Sequence, residues 1–238
     1  MSDSGRRRKE PEPVPTIRDV HGWRQCLLDN PSLIDYLEQE RGLTPKVIGR
    51  YRIGFARAGR FSTRSFEKFG AFTLPVFTWE GEVVTVRRRF YREIPKDENC
   101  RPTKYAGLAG HPATLFPSEP DIGPVMLVAG EFDALCGRSN GLPTTSTTCG
   151  ASLPAELASR FRGRSVAVVF DASEDEQRSA DRVVERLLIG GADAWRVDLR
   201  DRGLRDGEDV TDWFVKYGRS ARELRRLANV SRASRRAT

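Results

Sequence analysis

The residues of this chain most able to do chemistry are carboxylates that follow two short apolar runs. Val125-Met126-Leu127-Val128-Ala129 leads into Gly130, Glu131 and Asp133, and Ser165-Val166-Ala167-Val168-Val169-Phe170 ends at Asp171. Unbroken apolar runs of this length suit strands buried on both faces, as in a parallel sheet. Acids just beyond the C-terminal ends of such strands lie at the edge where open α/β sheets place their ligands. Two acidic groups meeting there can hold a divalent cation through hard oxygen ligands. The competing role is helix capping, since Asp and Glu favour helix N-termini.

The elements that must position these acids follow from the same patterning. From residue 123 onward, strands alternate with helices. The strand at 125–129 precedes a helix over 132–138, and a strand at 144–147 follows Gly141-Leu142-Pro143. A helix from Pro154 through Phe161 leads to the strand at 165–170. The helix at about 175–189 carries Val183, Val184, Leu187 and Leu188 on one face, and Gly190-Gly191 ends it before a strand at 194–199. Asp209 or Thr211 caps a short helix, and an arginine-rich helix spans about 220–228. Strands alternating with helices of this length imply a parallel sheet joined by right-handed crossovers.

Before residue 123 the pattern differs. Residues 1–15, rich in proline, glutamate, serine and basic side chains, suit a disordered leader. A helix is expected over 19–28, and a second with Asn30 as N-cap, Pro31 at its first position and Gly42 at its end. Thr44-Pro45 opens a shorter helix, residues 52–56 are extended, and strands are expected at 72–77 and 83–86 around a Glu80-Gly81 turn. The second strand runs into Arg87-Arg88-Arg89-Phe90-Tyr91-Arg92, where arginines interleaved with aromatics can neutralise phosphates and stack on bases. Residues 93–103 read as a polar loop.

Composition narrows the class. The chain has 238 residues and a net charge of +7, with seven arginines and one glutamate from residue 218 to 238. That basic end points to a polyanion such as nucleic acid, or else is a solvated terminus. Cys26, Cys100, Cys136 and Cys149 are far apart, form no CxxC pair, and lie far from His21 and His111, which argues against a structural zinc site. No apolar run approaches the ~20 residues needed to span a bilayer, and the N-terminus has no secretory apolar core, so a cytoplasmic location without membrane contact is expected.

Five stretches together resemble the catalytic core of bacterial and phage DNA primases with a Toprim domain. Tyr36-Leu37-Glu38-Gln39-Glu40-Arg41-Gly42-Leu43-Thr44, continuing to Tyr51-Arg52-Ile53-Gly54-Phe55, resembles the segment before the core. Thr103-Lys104-Tyr105 with Leu115-Phe116 resembles a basic element of the N-terminal subdomain. Ala129-Gly130-Glu131-Phe132-Asp133-Ala134-Leu135 resembles the first Toprim motif and Phe170-Asp171-Ala172-Ser173 the second. Glu208-Asp209-Val210-Thr211-Asp212 resembles the later acidic motif. The resemblance implies an α/β fold: a Toprim-type parallel sheet flanked by helices at 123–217, preceded by a smaller mixed α/β N-terminal subdomain at 30–122. A leader and first helix at 1–29 and a basic helix and tail at 218–238 would flank them.

It also implies primer synthesis on single-stranded DNA from nucleoside triphosphates, with Mg²⁺ or Mn²⁺ and no zinc. Glu131 and Asp171 are then the catalytic candidates, and Asp171, Asp209, Asp212 and Asp133 the metal ligands. Lys104, Arg87, Arg88, Arg89, Arg92 and Tyr105 would contact nucleic acid or nucleotide. The pattern departs from the family where Ala129 replaces a glutamate and Ser173 a second aspartate. Glu131 or Asp133 can supply the first missing charge, and Glu174 or Asp175 the second. No zinc module precedes residue 36 and no GxxxxGK[ST] phosphate loop is present, which implies a stand-alone core, as phages and mobile elements encode, relying on a helicase or zinc-binding partner. Two further classes stay open: a non-catalytic nucleic-acid-binding replication accessory on the same fold, and a Toprim nuclease.

Overall fold

The computed structural model describes residues 11–57, 69–78, 80–92, 103–118 and 123–237. These form two compact units, Met1–Asp29 with Arg52–Pro112, and Asn30–Tyr51 with Ala113–Thr238. The division falls elsewhere than the sequence suggests, because residues 30–51 pack with the second unit and the first helix packs with the first. Residues 1–10 of the expected leader, most of the polar loop at 93–103, and Cys100 lie outside the described residues.

The first unit is an antiparallel sheet carrying one helix. Helix α1 (Ile17–Leu28) starts at a reciprocal cap in which the Thr16 hydroxyl accepts from the Asp19 amide while the Asp19 carboxylate accepts from the Thr16 amide. Strands β1 (Gly54–Ala56), β2 (Ala71–Phe77), β3 (Val83–Phe90) and β4 (Tyr105–Ala106) pair in that order. Val20 and Trp23 of α1 join Ala56, Val86 and Leu108 in one buried cluster. Glu12 accepts from the Ala109 amide at 2.7 Å, and its carbonyl pairs with the His111 ring at 2.7 Å. The last residues of the expected leader are therefore held by the unit's own backbone.

The second unit is a five-stranded sheet of β5 (Leu115–Phe116), β6 (Val125–Val128), β7 (Thr144–Thr147), β8 (Ser165–Val169) and β9 (Asp193–Arg196). The strand order is β5-β7-β6-β8-β9, parallel except for β5. Alternation along β6 sends Val125 and Leu127 to one face and Met126 and Val128 to the other; β8 splits Val166 and Val168 from Ala167 and Val169 in the same way. Helices α5 (Ala155–Ala158) and α6 (Glu174–Ile189) cover the first face through Leu157, Val183 and Leu187. Helices α4 (Glu131–Ser139), α7 (Val210–Val215) and α8 (Ala221–Ala237) cover the second through Ala134, Trp213, Leu224 and Leu227. The continuous apolar runs are thus explained by burial on both sides.

Three boundaries differ from the sequence reading. Strand β9 ends at Arg196 because the Asp198 carboxylate accepts from the Arg200 amide at 3.0 Å and starts a 3₁₀ turn, Leu199–Arg202. Helix α8 continues to Ala237, and the Trp195 indole donates to the Ala228 carbonyl at 2.8 Å beneath it. Helix α2 (Pro31–Asp35) passes directly into a π-helical turn, Tyr36–Glu40, before α3 (Pro45–Arg50). Much of the basic C-terminal end is therefore a packed helix rather than a solvated tail.

Glycine 54 is required by the approach of α1 to β1: a Cβ there would meet the Trp23 carbonyl carbon at 2.6 Å and the Arg24 amide at 2.8 Å. Backbone atoms cannot rotate away as a side chain does. Gly54→Ala is expected to cost about 1–3 kcal/mol of stability, the usual range for overpacking. Equilibrium unfolding in denaturant checks this, and an unchanged midpoint would contradict it.

Candidate active site

Strand order places the acids. The chain leaves β6 for β7 on one side, and β8 lies on the other, so the C-terminal ends of β6 and β8 sit side by side at a topological switch. Asp133 lies in the first turn of α4, just after β6, and Asp171 two residues after β8. The third strip, Glu208-Asp209, reaches the same edge because the Ala172 amide donates to the Glu208 carbonyl at 2.8 Å.

Asp133 is buried. It accepts from the Thr211 hydroxyl at 2.6 Å and the Thr211 amide at 3.3 Å. Burial, with the charge of Asp171 added, nevertheless raises its carboxyl to about 6, against the Thr211 hydrogen bonds and the Arg41 charge. Asp209 is raised further, to about 8, by desolvation and then by the Asp133 charge. Asp209 is also the N-cap of α7: its carboxylate accepts from the Asp212 amide at 2.9 Å, and the Asp212 carboxylate accepts from the Asp209 amide at 3.2 Å. Asp133, Asp171 and Asp209 thus form one electrostatically coupled group, with Asp212 bonded to it.

The other sequence candidates have their own places in the fold. Glu131 is buried at the first position of α4. Ser173 caps α6, its hydroxyl accepting from the Glu176 amide at 3.3 Å. Glu174 and Asp175 stand on the solvent face of α6 and pair with Arg178, so neither replaces the missing second carboxylate. Glu208 is a loop anchor: Lys216 and the Arg205 amide hold it at about 2, with Tyr217 donating at 2.7 Å.

The basic stretch of the first unit divides by burial rather than by strand alternation, since Arg88 and Arg89 are consecutive and both buried. Arg88 is buried, donates to the Gly107 carbonyl at 2.7 Å, and lies 3.8 Å from Glu12; desolvation lowers its pKa. Arg89 is also buried, bonds the Phe90 carbonyl at 2.8 Å and stacks on Tyr105 at 5.1 Å. Both guanidiniums therefore serve the fold, which corrects the expectation that they face nucleic acid. Arg87 and Tyr105 are partly exposed, and Arg92 and Lys104 are exposed, with Arg92 lying 4.9 Å over the Tyr91 ring.

Sequence reasoning missed Arg41. It follows the π-helical turn and bonds the Tyr36 hydroxyl at 2.8 Å. Its guanidinium lies 5.2 Å from the Tyr36 ring centre and 5.8 Å from that of Phe132. Its charge lowers the pKa of both Asp133 and Asp209. The adjacent Gly42 has φ +64°, and a Cβ there would meet Cys136 Sγ and Val215 Cγ2 at 2.9 Å. The only sequence signal was a cation next to a helix-ending glycine, which is too common to single out.

The donor chemistry fits a hard divalent cation. Among the described residues no three His, Cys, Asp or Glu side chains are arranged as a metal cage. Mg²⁺, however, is usually bound through one or two carboxylates with waters and substrate phosphates. Asp133 and Asp171, whose charges repel each other, are the pair such an ion would relieve.

Comparison with known proteins accords with this geometry. No protein-family model matches the chain. The DNA primase of Thermotoga maritima is 29% identical over 155 residues, which is 61% of this chain but only 26% of that protein. The zinc-binding and RNA polymerase domains of the Aquifex aeolicus primase superpose with a TM-score of 0.70 at 21% identity, covering 90% of this chain and 59% of that one. The E. coli primase catalytic core and a DnaG primase catalytic domain bound to single-stranded DNA each give 0.65 at 20% identity over 90% of this chain, covering 78% and 79% of theirs. The chain has the fold of a DNA primase catalytic core.

The raised carboxyls set a pH dependence. A folded pKa above the unfolded one means that ionisation opposes folding, so this stability is fully present below about 3.8. It is lost as pH rises through about 6 for Asp133 and about 8 for Asp209. The melting temperature without metal is expected to fall as pH rises across that window, by about 2–4 °C per kcal/mol lost. Asp209→Asn should flatten the upper part of the curve in a thermal scan. A variant curve parallel to wild type would refute the assignment.

Proposed function

We propose that this chain performs primase-type nucleotidyl transfer, joining ribonucleotides into short primers on single-stranded DNA. The observation that carries the reading is the coupling of Asp133, Asp171 and Asp209 at the C-terminal edge of a primase-type sheet. The similarity to primase cores over 90% of the chain supports it.

Asp171 and Asp133 would hold a Mg²⁺ or Mn²⁺ ion. When bound, such an ion neutralises charge on the attacked phosphate and acidifies the attacking 3′-hydroxyl. Thr211 fixes the Asp133 carboxylate through two hydrogen bonds and so keeps its orientation. The Asp209 carboxyl, raised to about 8, can take up or release a proton beside the site near neutral pH. Arg41 contributes a positive charge that opposes the accumulated negative charge and can contact a triphosphate. Arg87, Arg92 and Lys104, all at least partly exposed, are the basic side chains suited to template phosphates. Arg88 and Arg89 support them from within. A helicase or zinc-binding partner belongs to the same reading.

A second reading, a nucleic-acid-binding core without catalysis, has its own support. The Ala129 side chain offers no ligating atom, Ser173 is engaged in capping α6, and the Asp209–Asp212 pair is engaged in capping α7. Incorporation of labelled ribonucleotides on single-stranded DNA, with and without Mg²⁺ or Mn²⁺, separates the two. The first reading expects metal-dependent primers and a loss of more than about 100-fold in Asp171→Ala, since even outer-shell partners of metals cost about 10–100-fold. Retained DNA binding with no product under either metal would select the second. Metal-dependent cutting of DNA without nucleotides would select a nuclease.

A further inference from the structure

The buried stripe of α6 reads Gln177, Ala180, Val183 and Leu187. Three of these residues are apolar, as a core-facing stripe requires. The first is an amide, only 2% exposed. Burying an amide is unfavourable unless hydrogen bonds replace those it made to water. Gln177 makes two: its Nε2 donates to the Asp171 carbonyl at 3.0 Å and to the Phe170 carbonyl at 3.4 Å. Both partners are pure acceptors, which fixes the sense of the amide. Its Oε1 is buried with no hydrogen-bond partner among the described residues. The donors of this side chain are thus committed to the connection between β8 and α6, where Phe170 and Asp171 lie.

The simpler account is that Gln177 satisfies two carbonyls at the end of β8 and does nothing more. It leaves out a second restraint on the same peptide unit. The Ala172 amide, which belongs to the Asp171–Ala172 peptide, donates to the Glu208 carbonyl at 2.8 Å. A peptide unit is planar and stiff. This one is gripped at both polar ends, its oxygen by α6 and its N–H by the strip that carries Asp209. The orientation of that plane sets ψ of Asp171 and, with β8 fixed on the other side, the direction of the Asp171 Cα–Cβ bond. Holding the plane therefore holds the base of the carboxylate. Asp133 is oriented through its carboxylate, by Thr211. At Asp171 this restraint acts through the main chain. Mg²⁺ demands near-ideal octahedral geometry, so such a restraint bears directly on affinity.

We propose, resting on the metal reading above, that Gln177 is the positioning residue for Asp171. By pinning the Asp171 carbonyl it keeps the carboxylate aimed at a divalent ion shared with Asp133. Gln177 acts through Asp171 and is not itself a ligand.

The test is binding of Mn²⁺ alone to the full chain, without nucleotide or DNA, titrated into the millimolar range and read by the EPR signal of the free ion. Gln177→Met keeps the length of the side chain and removes the donor. Its Mn²⁺ affinity is expected to fall about 10–100-fold, the range for groups that orient metal ligands, with the number of sites unchanged. Gln177→Asn keeps the amide but withdraws it by one methylene, and should shift affinity in the same direction by less. It decides the outcome if urea unfolding shows that Gln177→Met does not fold. Val183→Ala removes buried methyls on the same stripe, about 9 Å farther along α6, and controls for loss of stability alone. Its Mn²⁺ affinity should match wild type. Equal affinity in wild type and the Gln177 variants would overturn the positioning role. An equal fall in Val183→Ala would overturn it too, by reducing the effect to general destabilisation. A wild type that binds no Mn²⁺ would overturn the metal reading itself, and the positioning role with it.

Discussion

The second unit is arranged around an electrostatic conflict: carboxylates gathered at one edge of a buried parallel sheet, with little water to separate their charges. Each pKa unit of upward shift represents about 1.4 kcal/mol of preference for the neutral form. Asp133 and Asp209 are both displaced well upward, first by burial and then by a neighbouring carboxylate. Three restraints hold them in place. Thr211 reaches from α7 to Asp133, the reciprocal cap locks Asp209 to Asp212, and Arg41 supplies a positive charge from the π-helical turn. The segment 30–51 packs with the five-stranded sheet, which is how that charge reaches the acids.

How much of this was legible follows from what local pattern can encode. The strands β6 and β8 were legible because unbroken apolar runs have one common structural meaning, and the start of β7 was marked by Gly141-Leu142-Pro143. The carboxylates were found because each follows such a strand directly. What was missed depends on register and long-range contact. Arg87, Arg88 and Arg89 look equivalent in sequence, yet Arg88 and Arg89 are both buried, bonding the Gly107 and Phe90 carbonyls, while Arg87 stays partly exposed. Similarly, Glu174 and Asp175 looked able to replace the acid missing at Ser173, but the turn into α6 aims them at Arg178 and solvent. Arg41 and Glu208 lie in stretches the resemblance covers, yet nothing local marks their roles. One is defined by contacts across Gly42, the other by Lys216, Tyr217 and the Arg205 amide.

The two departures from the primase pattern act on the same conflict in one direction. Ala129 packs against the apolar face that holds Leu127 and Val168, and Ser173 turns its hydroxyl to an amide of its own helix. Removing two carboxylates from the edge lessens repulsion in the metal-free protein and, equally, weakens the attraction for a cation. With fewer protein oxygens available, a Mg²⁺ ion held there would draw more of its coordination from water and from substrate phosphates, as this ion commonly does. Under the proposed function, then, cation and nucleotide triphosphate would bind cooperatively, each weak without the other.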